Sequence, residues 1–103
     1  MKTLCTIQLM GEQVEVKETL YARGGTALVL ESLCGEPYGT FSVYVPDVEL
    51  AESEFAVRTW CENAQLREPM LATGLFEDTG RRVPCAFETA EIWRFKPAQE
   101  LAH

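Results

Sequence analysis

A single histidine, His103, stands at the last position of this 103-residue chain. Histidine is the side chain that most often moves protons near neutral pH, and a terminal one has nothing around it to orient it. A Ser–His or Cys–His nucleophile is therefore not expected. Close cysteine pairs are also missing: Cys5, Cys34, Cys61 and Cys85 come one at a time. Zinc sites usually draw on paired ligands across a turn, so metal binding is not expected. Isolated thiols in a reducing compartment usually serve as small buried apolar residues, and two non-local disulfides would need an oxidising one. Gly24-Gly25 has neither of the glycine frames that present amides to phosphate, and it reads as a turn. No apolar run approaches the roughly 20 residues that span a bilayer. No cofactor is implied.

Bases are scarce too. Nine Lys and Arg against sixteen Asp and Glu give a net charge of −7. None lies between Arg23 and Arg58, a stretch that holds Glu31, Glu36, Asp47, Glu49, Glu52 and Glu54. Nucleic-acid backbones repel this balance, so direct binding to them is not expected. Arg81, Arg82, Arg94 and Lys96 gather near the C-terminus. An acidic middle with a basic end can steer a basic partner, and the same charge on a solvated surface simply confers solubility. Hydrolytic carboxylate pairs need one acid in an apolar pocket, whereas Glu49, Glu52 and Glu54, or Glu77 with Asp78, sit in polar stretches that keep them ionised. Asp47, Glu49 and Glu52 lack the Gly and closing Glu of a calcium-binding loop.

What is present suits one small domain, with 47% of residues apolar. Residues 1–97 are expected to form it and 98–103 a disordered tail. The N-terminus, Met1 to Thr6, alternates polar and apolar like a strand and not like a secretion signal, so a cytoplasmic location is expected. Cys5, Ile7 and Leu9, then Val14 and Val16 after Gly11, predict a hairpin with one apolar face. Ala27 to Leu30, apolar without alternation, predicts a central strand covered on both sides. The stretch Gly35 to Asp47 is the most strand-like: Phe41, Val43 and Val45 alternate with Thr40, Ser42 and Tyr44. The short link from Cys34 to Pro37 makes this strand and the preceding one antiparallel neighbours.

An acidic loop over 46–53 leads to another strand, with Phe55 and Val57 opposite Ala56 and Arg58. A helix is predicted between Glu62 and Thr73, closed by Gly74; Pro69 confines its start to near Leu66 or kinks it. Glu77 to Arg81 reads as a turn, and Phe87 to Phe95 as a strand with Trp93 and Phe95 opposite Ile92. The sum is an α+β fold: a single, mostly antiparallel sheet of about six strands with one short helix packed on a face. Phe41 belongs to the core, while Tyr38 and Tyr44 stand on the more open polar face, where aromatic tips anchor protein partners.

Gly35-Glu36-Pro37-Tyr38, the alternating strand ending at Pro46-Asp47, Glu54 to Val57, Glu62-Asn63, Gly74-Leu75, Thr79-Gly80-Arg81 and Val83-Pro84 run along nearly the whole chain. In these motifs the chain resembles a family of small bacterial proteins, a domain of unknown function found in gut Firmicutes and Actinobacteria and on their mobile elements. The resemblance implies a cytoplasmic accessory protein of phage, plasmid or conjugative origin and supplies no catalytic residue. Cys85 departs from its pattern.

The leading expectation is a non-enzymatic protein that binds another protein, with Tyr38, Tyr44, Asp47, Glu49, Glu52 and Glu54 as candidate contacts. Its sharper form is an inhibitor that mimics nucleic-acid charge in the basic groove of a host defence protein. The alternatives are a small-molecule module or small enzyme with a pocket between sheet and helix near Trp60, Trp93 and Met70, or a homodimer paired through a sheet edge.

Overall fold

The computed structural model describes residues 2–9, 11–22, 25–45 and 48–96, with Glu62 described by its backbone only. The predicted 98–103 tail and His103 lie outside the described residues. Strands β1 (Lys2–Leu9), β2 (Glu12–Leu20), β3 (Thr26–Ser32) and β4 (Pro37–Thr40) form one sheet in that order. Strands β5 (Ser42–Val43), β6 (Glu54–Val57), β7 (Phe76–Cys85) and β8 (Glu88–Phe95) form a second, ordered β5-β6-β8-β7. Every pairing is antiparallel. The fold is thus α+β, but with two sheets of four strands in place of one sheet of six.

The meander of the first sheet follows its alternation. Gly11, at φ 81°, turns β1 into β2, and Ile7 then pairs with Val14. Leu28 and Leu30 of β3 join these residues in the core; on the other face Ala27 is buried and Val29 half-buried.

The two sheets meet at Phe41. Its N–H donates to Leu28 O (3.0 Å) in β3, and its carbonyl accepts from Arg58 N (2.8 Å) just past β6. The unbroken period of two between Thr40 and Val45 predicted one strand with Phe41, Val43 and Val45 on one side. Instead, Phe41 enters the inner core, while Val43 and Val45 pack against a separate cluster. A strand handed from one sheet to another must twist, and the twist changes which side is covered. Ser42 is consequently buried, not open. Burying a hydroxyl is unfavourable unless it is hydrogen-bonded; Ser42 Oγ accepts from Leu28 N (2.9 Å) and shares a hydrogen bond with Tyr21 Oη (2.7 Å).

The inner core lies between the sheets, where Val16, Leu28, Phe41, Phe55, Phe76 and Trp93 are almost wholly buried. Edge-on ring contacts, Phe41 with Trp93 at 5.2 Å and Phe55 with Phe76 at 5.7 Å, hold its centre. A 3₁₀ segment, Cys61–Leu66, runs into helix α1, Arg67–Ala72. Pro69 falls in the first turn of α1, where its missing N–H has no partner to lose, and Gly74 at φ 78° closes the helix. Leu66 and Met70 point into the core. The helix packs on β1 and β7, the outermost strand of each sheet, and so fills the gap between them instead of lying across the middle of one face.

A second, smaller cluster of Ala56, Val83, Ala90 and Ile92 covers the other side of the second sheet, roofed by Val45, Val48, Leu50 and Trp60. Two further expectations are corrected. Glu77 to Arg81 is not a turn but part of β7, whose register slips between Asp78 and Arg82; the chain reverses at Ala86–Phe87 instead. The cysteines are not buried: Cys34 and Cys61 are exposed, Cys5 and Cys85 half-buried, and all four are free. Cys34 sits in the β3–β4 turn and Cys61 at the start of the 3₁₀ segment, away from any core-facing position. No helix among the described residues is long and apolar enough to cross a membrane.

Candidate functional site

The irregularity in β7 arranges the polar surface. Asp78 Oδ1 accepts from Gly80 N (2.9 Å) and Thr79 Oγ1 from Arg81 N (3.2 Å), with Gly80 at φ 88°. Three residues of β7, Thr79 to Arg81, stand against Ile92 alone in β8, and such a bulge re-aims the side chains beside it. Two consecutive arginines therefore serve different partners: Arg81 reaches Glu54 and the 48–53 loop before it, and Arg82 turns to Asp78 and Glu91.

The loop is held at several points. Arg81 Nη1 donates to Glu54 Oε1 (3.1 Å) and Nη2 to the Glu49 carbonyl (3.3 Å). Glu54 Oε1 also accepts from Ala51 N (2.9 Å), while Glu54 N donates to Ala51 O (3.0 Å). Glu54 is thus an internal fastener with a side chain only 16% exposed, not the open carboxylate that its acidic neighbourhood suggests. Val48 and Leu50 point inward and roof the small cluster. Glu49 and Glu52 are exposed, and neither side chain has an ion-pair partner among the described residues.

Beside the loop lies a groove of about 230 Å³, with Tyr21, Val43, Tyr44, Val45, Val48 and Leu50 in its walls and Glu54 at its margin. The Tyr21 and Tyr44 rings are 5.4 Å apart and tilted by 58°, and Tyr21 is anchored in turn by the buried Ser42. Tyr44 remains 39% exposed. The structure therefore brings Tyr44 and Glu54 of the predicted set to one groove, with Glu49 and Glu52 exposed on the loop whose Val48 and Leu50 line it. It places Tyr38 elsewhere, in a second depression of about 280 Å³ with Arg58, Asn63 and Gln65. Asp47 lies outside the described residues. Trp60, Trp93 and Met70 do not converge on a pocket: Trp93 and Met70 are fully buried in the inner core, whereas Trp60 belongs to the outer cluster.

The sequence gives little hint of a second acidic site beneath the helix. Glu91 lies on the Trp93 side of β8 and is 9% exposed. Its Oε1 accepts from Trp93 Nε1 (2.9 Å), its Oε2 from Thr59 Oγ1 (3.0 Å), and both from Arg67 Nε at 3.1 Å. Arg67 Nη2 continues to Asp78 Oδ2 (2.9 Å), and Arg82 grips the same carboxylate, Nη1 donating to Oδ1 (2.8 Å) and Nη2 to Oδ2 (2.9 Å). Burial pushes the Glu91 carboxyl up, but the hydrogen bonds from Trp93, Arg67 and Thr59 together outweigh it and hold the group below its ordinary value. Asp78 is held low chiefly by the Arg82 hydrogen bonds, against the opposing effect of burial. Through Arg67, its first residue, α1 is thus tied to both strands of the β7–β8 hairpin. Its one sequence signal is an acid placed two residues from a core tryptophan.

Comparison with family models, with curated proteins and with solved structures found no match to this chain.

Proposed function

We propose that this chain is a non-enzymatic, protein-binding accessory factor that meets its partner through the 48–53 loop and the tyrosine groove beside it. The observation that carries this reading is the fastening of the loop by Arg81, Glu54 and the Ala51 amide, which holds the segment bearing the exposed Glu49 and Glu52 where its Val48 and Leu50 line the groove with Tyr44. A surface already ordered spares association about 0.5–1.5 kcal/mol per side chain that would otherwise be immobilised. An aromatic flanked by aliphatic residues under a polar rim is also the pattern in which binding energy concentrates. In the setting implied by the family resemblance, the partner is a basic cytoplasmic protein, and the acids act as a charge mimic of nucleic acid. Tyr38 lies in a different depression and is not part of the proposed contact.

Selection of random displayed peptides on the intact chain tests the proposal, with counter-selection on a Tyr44→Ala/Glu49→Gln/Glu52→Gln variant. Enrichment of peptides that bind the parent and not the variant is expected. Peptides that bind both alike, or no enrichment, would overturn it.

A further inference from the structure

We infer that β1 is an interface and that its occupant is the β1 strand of a second copy. The two strands run antiparallel about a two-fold axis, and the two first sheets join into one. Neither the groove nor the loop of the docking reading takes part. An edge strand turns the N–H and C=O of every second residue away from its only neighbour. Proteins usually guard such edges with bulges, prolines or charges. The free edge of the second sheet, β7, has all three: its bulge, Pro84, and Arg81 with Arg82. The free edge of the first sheet, β1, is far more open. Its irregularity, at Leu4, leaves Cys5 to Leu9 in unbroken register with β2. It has no proline, and its one charge, Lys2, stands at its start. Among the described residues no backbone group outside β2 bonds to it, and α1 packs on it without such a bond.

Charge and symmetry select the occupant. Of the strands longer than four residues β1 alone carries no acid, so in a chain of net charge −7 two copies meet there with least repulsion. Antiparallel pairing about Ile7 sets Thr6 against Gln8 on the exposed face and Cys5 against Leu9 on the core face. No like charges oppose one another. Lys2 then runs past the straight segment to the level of Glu12, which opens β2 of the second copy, and both side chains are exposed. The two-fold repeats this cation–acid pair at the other end, as only a second copy of this strand would. One strand pair buries less than the roughly 1,600 Å² of a standard interface, so the association is weak.

Sedimentation equilibrium of the intact chain tests this, from micromolar to millimolar concentration and in reducing buffer, since all four thiols are free. The mass should climb from the 11.6 kDa of one chain towards twice that value. Lys2→Glu and Glu12→Lys should each weaken association at least about fivefold, and the two together should restore it. Glu12→Lys is the more telling, because it lowers the net negative charge and should still weaken the pair. Hydrogen exchange should slow with concentration at amides between Cys5 and Leu9. A mass that stays at one chain throughout would overturn the inference. So would a dimer that neither single reversal weakens, or one whose concentration-dependent protection falls outside β1. A double variant as weak as either single one would remove the antiparallel register, and the inference with it.

Discussion

The 48–53 loop and the cluster under α1 are both acidic, yet their carboxylates are used in opposite ways. Glu91 and Asp78 receive donors from Arg67, Arg82, Thr59, Trp93 and Gly80, whereas Glu49 and Glu52 face solvent with no ion-pair partner among the described residues. The two regions share the β7 bulge, which sends Arg81 one way and Arg82 the other. Surface charge alone does not mark a binding site: where donors are already present, the acid holds the fold together. Glu54 shows the boundary, an acid at the end of the loop and the start of β6 that works as a fastener.

The sharpest way to break this contrast is to remove Glu91. Glu91→Ala would leave Arg67 only its Asp78 and Glu68 partners and the Trp93 N–H without its acceptor, and it should cost about 2 kcal/mol in urea unfolding at neutral pH. A loss no larger than that of a typical surface substitution would refute a structural role for the cluster.

Acid titration follows in size. The Asp78 and Glu91 carboxyls both lie below their ordinary values of 3.8 and 4.5, so the unfolded chain binds protons that the folded one refuses. Their contribution is therefore complete above those ordinary values and is lost as pH falls through the lower, folded ones. Urea midpoints should hold steady near neutrality and drop below about pH 4.5, with a shallower drop in Glu91→Gln.

Arg81→Ala tests the other side of the bulge. Exposed ion pairs contribute little, so less than about 1 kcal/mol of stability should be lost. Hydrogen exchange should quicken at Ala51, whose amide bonds Glu54, while Trp93 keeps its protection. The smallest change in stability is expected from Glu49→Gln with Glu52→Gln: an unaltered urea midpoint, since neither side chain has an ion-pair partner among the described residues. A shifted midpoint would show that these acids also serve the fold.

Much of the fold was legible because it depends on neighbours in sequence. The β1–β2 hairpin, the antiparallel β3–β4 pair, the opposite faces of Trp93 and Ile92, and Pro69 in the first helical turn all follow from period, turn residues and backbone limits. The division into two sheets was hidden, since alternation between Thr40 and Val45 looks the same whether a strand continues or is handed over. Asp-Thr-Gly misled for a related reason: a bulge and a turn both need a positive φ and a short side chain that bonds backbone amides. For the site, Tyr44 and the loop acids were visible as residue types. The internal use of Glu54 depends on an arginine 27 positions away, which no local pattern announces.

One consequence follows from the seam at Phe41. The first sheet is complete before that residue and the second begins after it, so the molecule is two successive lengths of polypeptide pressed together and not interwoven. During synthesis the leading length can assemble its meander from near-neighbour contacts while the trailing one is still unmade. It must then wait, with one greasy side bare, for the rest of its own chain to arrive.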